Sequence, residues 1–169
     1  MNTFGALRDI FYTGTADRDG EAMAFEGQLE RHTEGREFLE QEIGYQIPQE
    51  IAEFLQVFGG TKLFVDSYGL GVTILRLSEI SNHNHQKQES EDEFWPKFMI
   101  FGYGSSDDML CLYNEGQRVH FGILDHEAWG CSEVWVKEAI DFVEFADWLK
   151  MLVSSRGKII PTKVIRYDI

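Results

Sequence analysis

The sequence predicts an α+β fold in which helices pack on a mostly antiparallel sheet of about five to six strands. Two observations carry this. Apolar residues recur at helical spacing as far as Phe58 and then give way to short runs rich in β-formers, and the connections between those runs are short and polar, as hairpins require. A third observation, a well-patterned helix near the end, places helical segments on both sides of the strand-rich middle.

The first thirty residues are poorly patterned. Gly5, Gly14, Gly20 and Gly27 interrupt them, and Thr13-Gly14-Thr15-Ala16-Asp17 reads as turn chemistry, so residues 1–30 are expected to be a loosely specified extension. The main domain is expected over 31–157. A helix is predicted from Thr33 through Phe38, Leu39 and Ile43 to a stop at Gly44. The next is better marked. Pro48 suits a first helical position, Glu50 favours the positive end of the helix dipole, and Ile51, Phe54, Leu55 and Phe58 fall at i, i+3, i+4 and i+7 before Gly59-Gly60.

Strands are expected at 62–65, 72–77, 97–101, 109–113 and 119–124, with Gly102 to Asp107 and Asn114-Glu115-Gly116-Gln117 as hairpin turns. Residues 78–95 form a long polar insert carrying Glu89, Glu91, Asp92 and Glu93, and are expected to be a mobile loop. A short strand at 132–136 precedes the last helix. That helix is expected to be capped by Asp141, with Glu144 completing a capping box and Phe142, Phe145, Ala146, Leu149 and Val153 on its apolar face, and to stop at Gly157. The tail, 158–169, is locally basic through Lys158, Lys163 and Arg166, and Pro161 makes it an edge strand or extended arm.

Length and composition bound the function. A chain of 169 residues fits one domain, and 43% hydrophobic with 14% aromatic residues is enough to bury a core. No apolar run approaches the roughly 20 residues that span a bilayer, and the start lacks a secretory pattern, so a cytoplasmic location is expected. Cys111 and Cys131 are too few for a disulfide scaffold and read as reduced thiols. Twenty-nine acids against fifteen bases leave a net charge of −14. Such a field repels phosphate backbones and anionic lipid and draws in basic partners, which disfavours direct binding to nucleic acid or membrane.

The run Glu42-Ile43-Gly44-Tyr45-Gln46-Ile47-Pro48-Gln49-Glu50-Ile51-Ala52-Glu53-Phe54-Leu55, followed by Phe58-Gly59-Gly60, resembles the opening signature of the SUKH superfamily of Smi/Knr type. The order of later pieces is similar too: Phe101-Gly102-Tyr103-Gly104-Ser105-Ser106-Asp107-Asp108 before Met109-Leu110-Cys111-Leu112, a strand running into His126-Glu127, and Phe142-Val143-Glu144-Phe145. The resemblance spans about residues 37–152. It implies an α+β fold and, for bacterial members, an immunity protein that binds and neutralises a toxin, often a nuclease or nucleic-acid deaminase. Serines at 105 and 106 depart from the family's glycine-rich turn.

No constellation reads as an active site. His83 and His85 could share a metal if extended, but their polar surroundings favour solvent-exposed histidines, and no metal or cofactor site is expected. Gly102-x-Gly104 runs into a strand rather than a helix N-terminus and reads as a hairpin turn. Asp107 and Asp108 with Asp125 and Glu127 would need to converge in a cleft to do acid–base or cation chemistry. Cys111 with His120 or His126 offers a nucleophile and base, against the plainer reading of a packed thiol.

The expected function is therefore binding. A toxin that handles nucleic acid needs a basic groove, and an acidic protein can occupy it by supplying carboxylates in place of phosphates. The expected contact residues are Glu89, Glu91, Asp92, Glu93, Asp107, Asp108 and Glu127 for charge, with Trp95, Tyr103 and Trp129 as anchors. The partner is a basic cognate toxin, bound by a monomer or weak dimer. The alternative is a non-catalytic regulatory or scaffold protein that binds a non-toxin partner.

Overall fold

In a computed structural model, eight strands hydrogen-bond in the order in which they occur in the chain, and every neighbouring pair is antiparallel. The structure describes residues 3–27, 36–43, 46–90, 98–104, 107–115, 118–126 and 140–158. The strands are β1 (Thr15–Arg18), β2 (Glu21–Gly27), β3 (Thr61–Val65), β4 (Val72–Ile74), β5 (Phe98–Tyr103), β6 (Met109–Glu115), β7 (Arg118–Leu124) and β8 (Ile140–Phe142). Helix α1 (Thr3–Thr13) precedes them, α2 (Arg36–Ile43) and α3 (Gln49–Phe58) lie between β2 and β3, α4 (Leu77–Ser90) between β4 and β5, and α5 (Phe145–Ser154) follows β8. The α+β class is as expected, but the sheet has eight strands rather than five or six.

Two of the additional strands come from the segment read as a loose extension. Asp19 and Gly20 both take positive φ, 56° and 84°, which is the two-residue turn that the right-handed twist of a hairpin favours. The β1–β2 hairpin it closes pairs with β3, and α1 packs on the main core. Leu7, Met23 and Phe25 are buried, and the Phe4 ring meets those of Phe54 and Phe58 edge-on, with centroids 6.2 and 6.0 Å away.

The core lies on one face of the sheet. Helix α3 buries Ile51, Phe54, Leu55 and Phe58, as its spacing predicts, and Gly59 ends it by donating to Leu55 O at 3.0 Å. Helix α5 buries Phe145, Trp148, Leu149 and Leu152. The rings of Phe101, Phe121, Phe145 and Trp148 form a contiguous cluster, with Phe121–Phe145 and Phe121–Trp148 centroids 5.4 and 5.3 Å apart.

The last helix begins later than expected. Glu144 is its N-cap residue and makes no side-chain cap, while Asp141 and Phe142 belong to β8. The apolar face shifts accordingly. Ala146 is exposed, and Trp148 and Leu152 take the core positions, because counting from Phe145 puts i+3, i+4 and i+7 at 148, 149 and 152.

A second apolar cluster, Phe98, Ile100, Met109, Cys111 and Leu124, is buried on the opposite face of β5, β6 and β7. Coverage of both faces explains why these strands read as unbroken apolar runs rather than alternating ones. The expected strand at 132–136, Cys131 and the tail from 159 lie outside the described residues.

The clearest correction concerns residues 78–90, expected to be a loop. They form α4, a helix with little apolar patterning, held by Ile80, which is buried in the core, and by Asn84. Asn84 Nδ2 donates to Ile100 O at 2.7 Å and Asn84 Oδ1 accepts from Ile100 N at 2.9 Å, taking up backbone groups of β5 beyond the end of β4 at Ile74. No described helix is long and apolar enough to cross a membrane.

Candidate partner-binding surface

One end of the β5–β6–β7 sheet gathers the acids that the sequence singled out around residue 107. Pairing of Met109 with Leu124 places Asp108 and Asp125 at adjoining chain positions just past the end of the ladder. The turn between β5 and β6 is closed by Gly104 N donating to Asp108 O at 2.8 Å and Asp107 N donating to Gly104 O at 3.2 Å, with Asp107 at φ 62°. Aspartate tolerates this left-handed conformation better than most residues, which suits it to the position. Asp107 is exposed there, whereas Asp108 is only 7% exposed.

Asp108 is held by His126. The backbone N–H of His126 donates to Asp108 Oδ1 at 3.2 Å, and its Nδ1 lies 2.8 Å from the same oxygen. Asp125 Oδ1 lies 3.8 Å from that ring nitrogen. Donor atoms of Asp108, Asp125 and His126 all fall within 4.8 Å of one another, a spacing within reach of a single cation. The ring nitrogen is, however, already hydrogen-bonded to the carboxylate it would share with a metal. The arrangement is that of a carboxylate and imidazole pinning the turn to the end of β7.

Tyr103, at the end of β5, borders this turn. Its hydroxyl is hydrogen-bonded to His83 Nε2 of α4, and the two rings meet edge-on with centroids 5.6 Å apart. Burial, and then the nearby Asp107 carboxylate, push the phenol pKa up from 10 to about 12, so it stays neutral. Helical spacing also removes the basis for a His83 and His85 metal pair, since residues two apart do not share a helix face. Cys111 is fully buried in the second apolar cluster, its thiol donating to Gly122 O at 3.4 Å, and burial pushes its pKa up from 9 to about 12. His126 is committed to Asp108 instead. These surroundings disfavour the thiolate a nucleophile requires.

Of the predicted contact residues, the structure brings together Tyr103, Asp107 and Asp108, and adds Asp125, His126 and His83. Glu89 lies in the last turn of α4. Glu91, Asp92, Glu93, Trp95, Glu127 and Trp129 lie outside the described residues. Sequence reading missed His83 as the partner of Tyr103, because α4 lacks the apolar stripe by which a helix is recognised.

The family profile described as the SMI1 / KNR4 family (SUKH-1) matches residues 37–148. No curated protein and no solved structure gives a match. The matched region runs from the start of α2 into α5, and leaves outside it the α1–β1–β2 unit that pairs with β3. With most of its length covered, the chain belongs to the SMI1/KNR4 family (SUKH-1).

Proposed function

We propose that the protein is an intracellular immunity protein that binds and neutralises a cognate bacterial toxin, a basic nuclease or nucleic-acid deaminase, through an acidic surface. Family membership over residues 37–148 is the observation that carries this reading. The net charge of −14 and the clustering of Asp107, Asp108 and Asp125 at one end of the sheet support it. A nucleic-acid groove holds phosphates with Lys and Arg, so carboxylates presented on a fixed turn compete for the same groups.

In this reading Asp107 and Asp125 act with Glu89, Glu91, Asp92, Glu93 and Glu127 in steering, while Tyr103, Trp95 and Trp129 supply desolvated anchors. Asp108 serves mainly to hold the turn through His126. The protein acts in the cytoplasm, without cofactor and without chemistry of its own.

The test is capture of the partner from the native host, followed by co-expression. A captured protein that arrests growth alone and is relieved by this chain supports the proposal. A captured protein with no toxicity supports the alternative, a regulatory or scaffold role with a non-toxin partner.

A further inference from the structure

Three turns meet at one end of the sheet. Pairing of Ala24 with Val65 brings the start of β2 beside the end of β3, and pairing of Thr73 with Tyr103 brings the start of β4 beside the end of β5. The β1–β2 turn, the β3–β4 tip at residues 66–71 and the acidic turn after Tyr103 therefore lie at the same end. On the tip, Tyr68 is 86% exposed and Leu70 51%, two of the three large apolar side chains that stand in solvent among the described residues. Single exposed apolar residues are ordinary, but a pair separated by one glycine on one turn makes a local patch.

The tip is fixed before any partner arrives. Tyr68 N and Leu70 N donate to Asp66 Oδ1 at 2.9 and 2.8 Å, Gly69 N donates to Asp66 O at 3.0 Å, and Ser67 N donates to Glu21 Oε1 at 3.2 Å. The Ser67 hydroxyl donates to the same Glu21 oxygen, so the β1–β2 unit braces the tip. With its backbone donors satisfied by the chain itself, the tip offers side chains to a partner. Just before it, β3 carries a bulge: Ala24 pairs with Val65 but Glu26 with Lys62, and Phe64 takes φ 54°. That conformation is costly for phenylalanine, and burial against the Phe25 ring, edge-on at 4.7 Å, holds it there. A bulge bends its strand and so sets the direction in which the tip projects.

Charge selects the kind of partner. Asp66 at the base of the tip and Asp107 on the acidic turn have no cation partner among the described residues, whereas Asp17 and Asp19 on the β1–β2 side pair with Arg156 and Lys158. An apolar pair flanked by carboxylates fits an apolar pocket rimmed by Lys and Arg. A second copy of this chain does not: tip against tip, Asp66 would face Asp66 in a molecule of net charge −14. We propose that the β3–β4 tip docks this chain on a basic protein, with Tyr68 and Leu70 entering an apolar pocket and Asp66 and Asp107 facing cations at its rim. An aromatic anchor on a preorganised turn loses little entropy on binding. The proposal extends the acidic surface described above and rests on the partner being basic, not on its being a toxin.

The experiment is affinity capture from the native host on three immobilised full-length chains, matched beforehand by urea midpoint: the parent, Tyr68→Ala/Leu70→Ala, and Met151→Ala, which removes an exposed apolar side chain on α5. Expected is a protein of net positive charge that the parent and Met151→Ala retain and the double variant loses. Once purified, it should bind the double variant about thirtyfold more weakly, chiefly through faster dissociation. Asp66→Asn, which keeps the acceptor oxygen of the turn, should slow its association about threefold. The proposal is overturned if the parent captures nothing, if the partner binds the double variant as tightly, or if Met151→Ala loses it equally, which would mean non-specific apolar adhesion. A parent dimer abolished in the double variant would assign the tip to a second copy and overturn it too. A toxin bound equally by the double variant leaves the proposed function standing without this anchor, and a basic, non-toxic partner lost from the double variant leaves the anchor standing without that function.

Discussion

The side-chain amide of Asn84 hydrogen-bonds both the N–H and the C=O of Ile100, at 2.9 and 2.7 Å, and so acts on β5 as one residue of a neighbouring strand would. The pair is buried, and β4 is too short to supply those bonds from backbone. Asn84→Ala should leave two buried backbone groups unsatisfied and cost about 2–4 kcal/mol. Asn84→Asp should cost at least as much, because a carboxylate turns an acceptor towards Ile100 O. Urea midpoints of the two variants check this, and midpoints within error of the parent protein would remove α4 from the sheet's stability.

The N-terminal unit is integral to the fold. Deleting residues 1–27 removes Leu7, Met23 and Phe25, each buried, and at about 2 kcal/mol per side chain the loss approaches the whole stability of an ordinary domain. The truncated chain should show no cooperative urea transition. A sharp transition at the parent midpoint would show instead that the family-matched region folds alone.

Two glycines with similar backbone angles should respond differently to alanine. Gly69 (φ 83°) has open space where a Cβ would go, so Gly69→Ala should cost about 1 kcal/mol from the left-handed conformation alone. Gly157 (φ 76°) would place its Cβ 2.5 Å from Phe64 Cβ, so Gly157→Ala adds overpacking and should cost about 2–4 kcal/mol. Thermal denaturation of the two variants side by side distinguishes strain from strain plus clash.

The buried thiol sets a pH dependence. Because folding raises the Cys111 pKa from 9 to about 12, the folded state holds the proton more tightly than the unfolded chain does. Its contribution is whole below pH 9 and is lost as the pH rises from 9 towards 12. Tyr103, raised from 10 to about 12, adds to the same alkaline loss. Stability should therefore fall more between pH 9 and pH 11 in the parent than in Cys111→Ala. At pH 8 a thiol reagent should modify Cys111 only on unfolding, and modification at the rate of a free thiol would contradict its burial.

Charge on the acidic turn should act mainly on encounter. Once a basic partner is in hand, Asp107→Asn with Asp125→Asn should slow association about tenfold at low salt and flatten its salt dependence, leaving dissociation nearly unchanged. Stopped-flow rates at two ionic strengths check this, and equal rates for parent and variant would take the turn out of the steering.

The α+β class, α3 with its buried face, the strand-rich middle and the turn that carries Tyr103, Asp107 and Asp108 can all be read from the amino-acid order. Each was legible because its signal is local: a 3.6-residue apolar period, a run of β-formers, or glycine and aspartate where the chain must reverse. The Asp-Gly turn at 19–20 was an equally local signal for β1 and β2, outweighed by the scattered glycines around it. The remaining features depend on contacts between distant parts of the chain. Helix α4 is stabilised by one buried Ile80 and by an amide satisfying a strand sixteen residues away, and no window of polar residues reveals such a bond. The pairings of Asp108 with His126 and of His83 with Tyr103 join residues 18 and 20 positions apart. They arise only when the β6–β7 register is set and α4 docks beside β5, because hydrogen bonds between distant side chains depend on packing rather than on spacing along the chain.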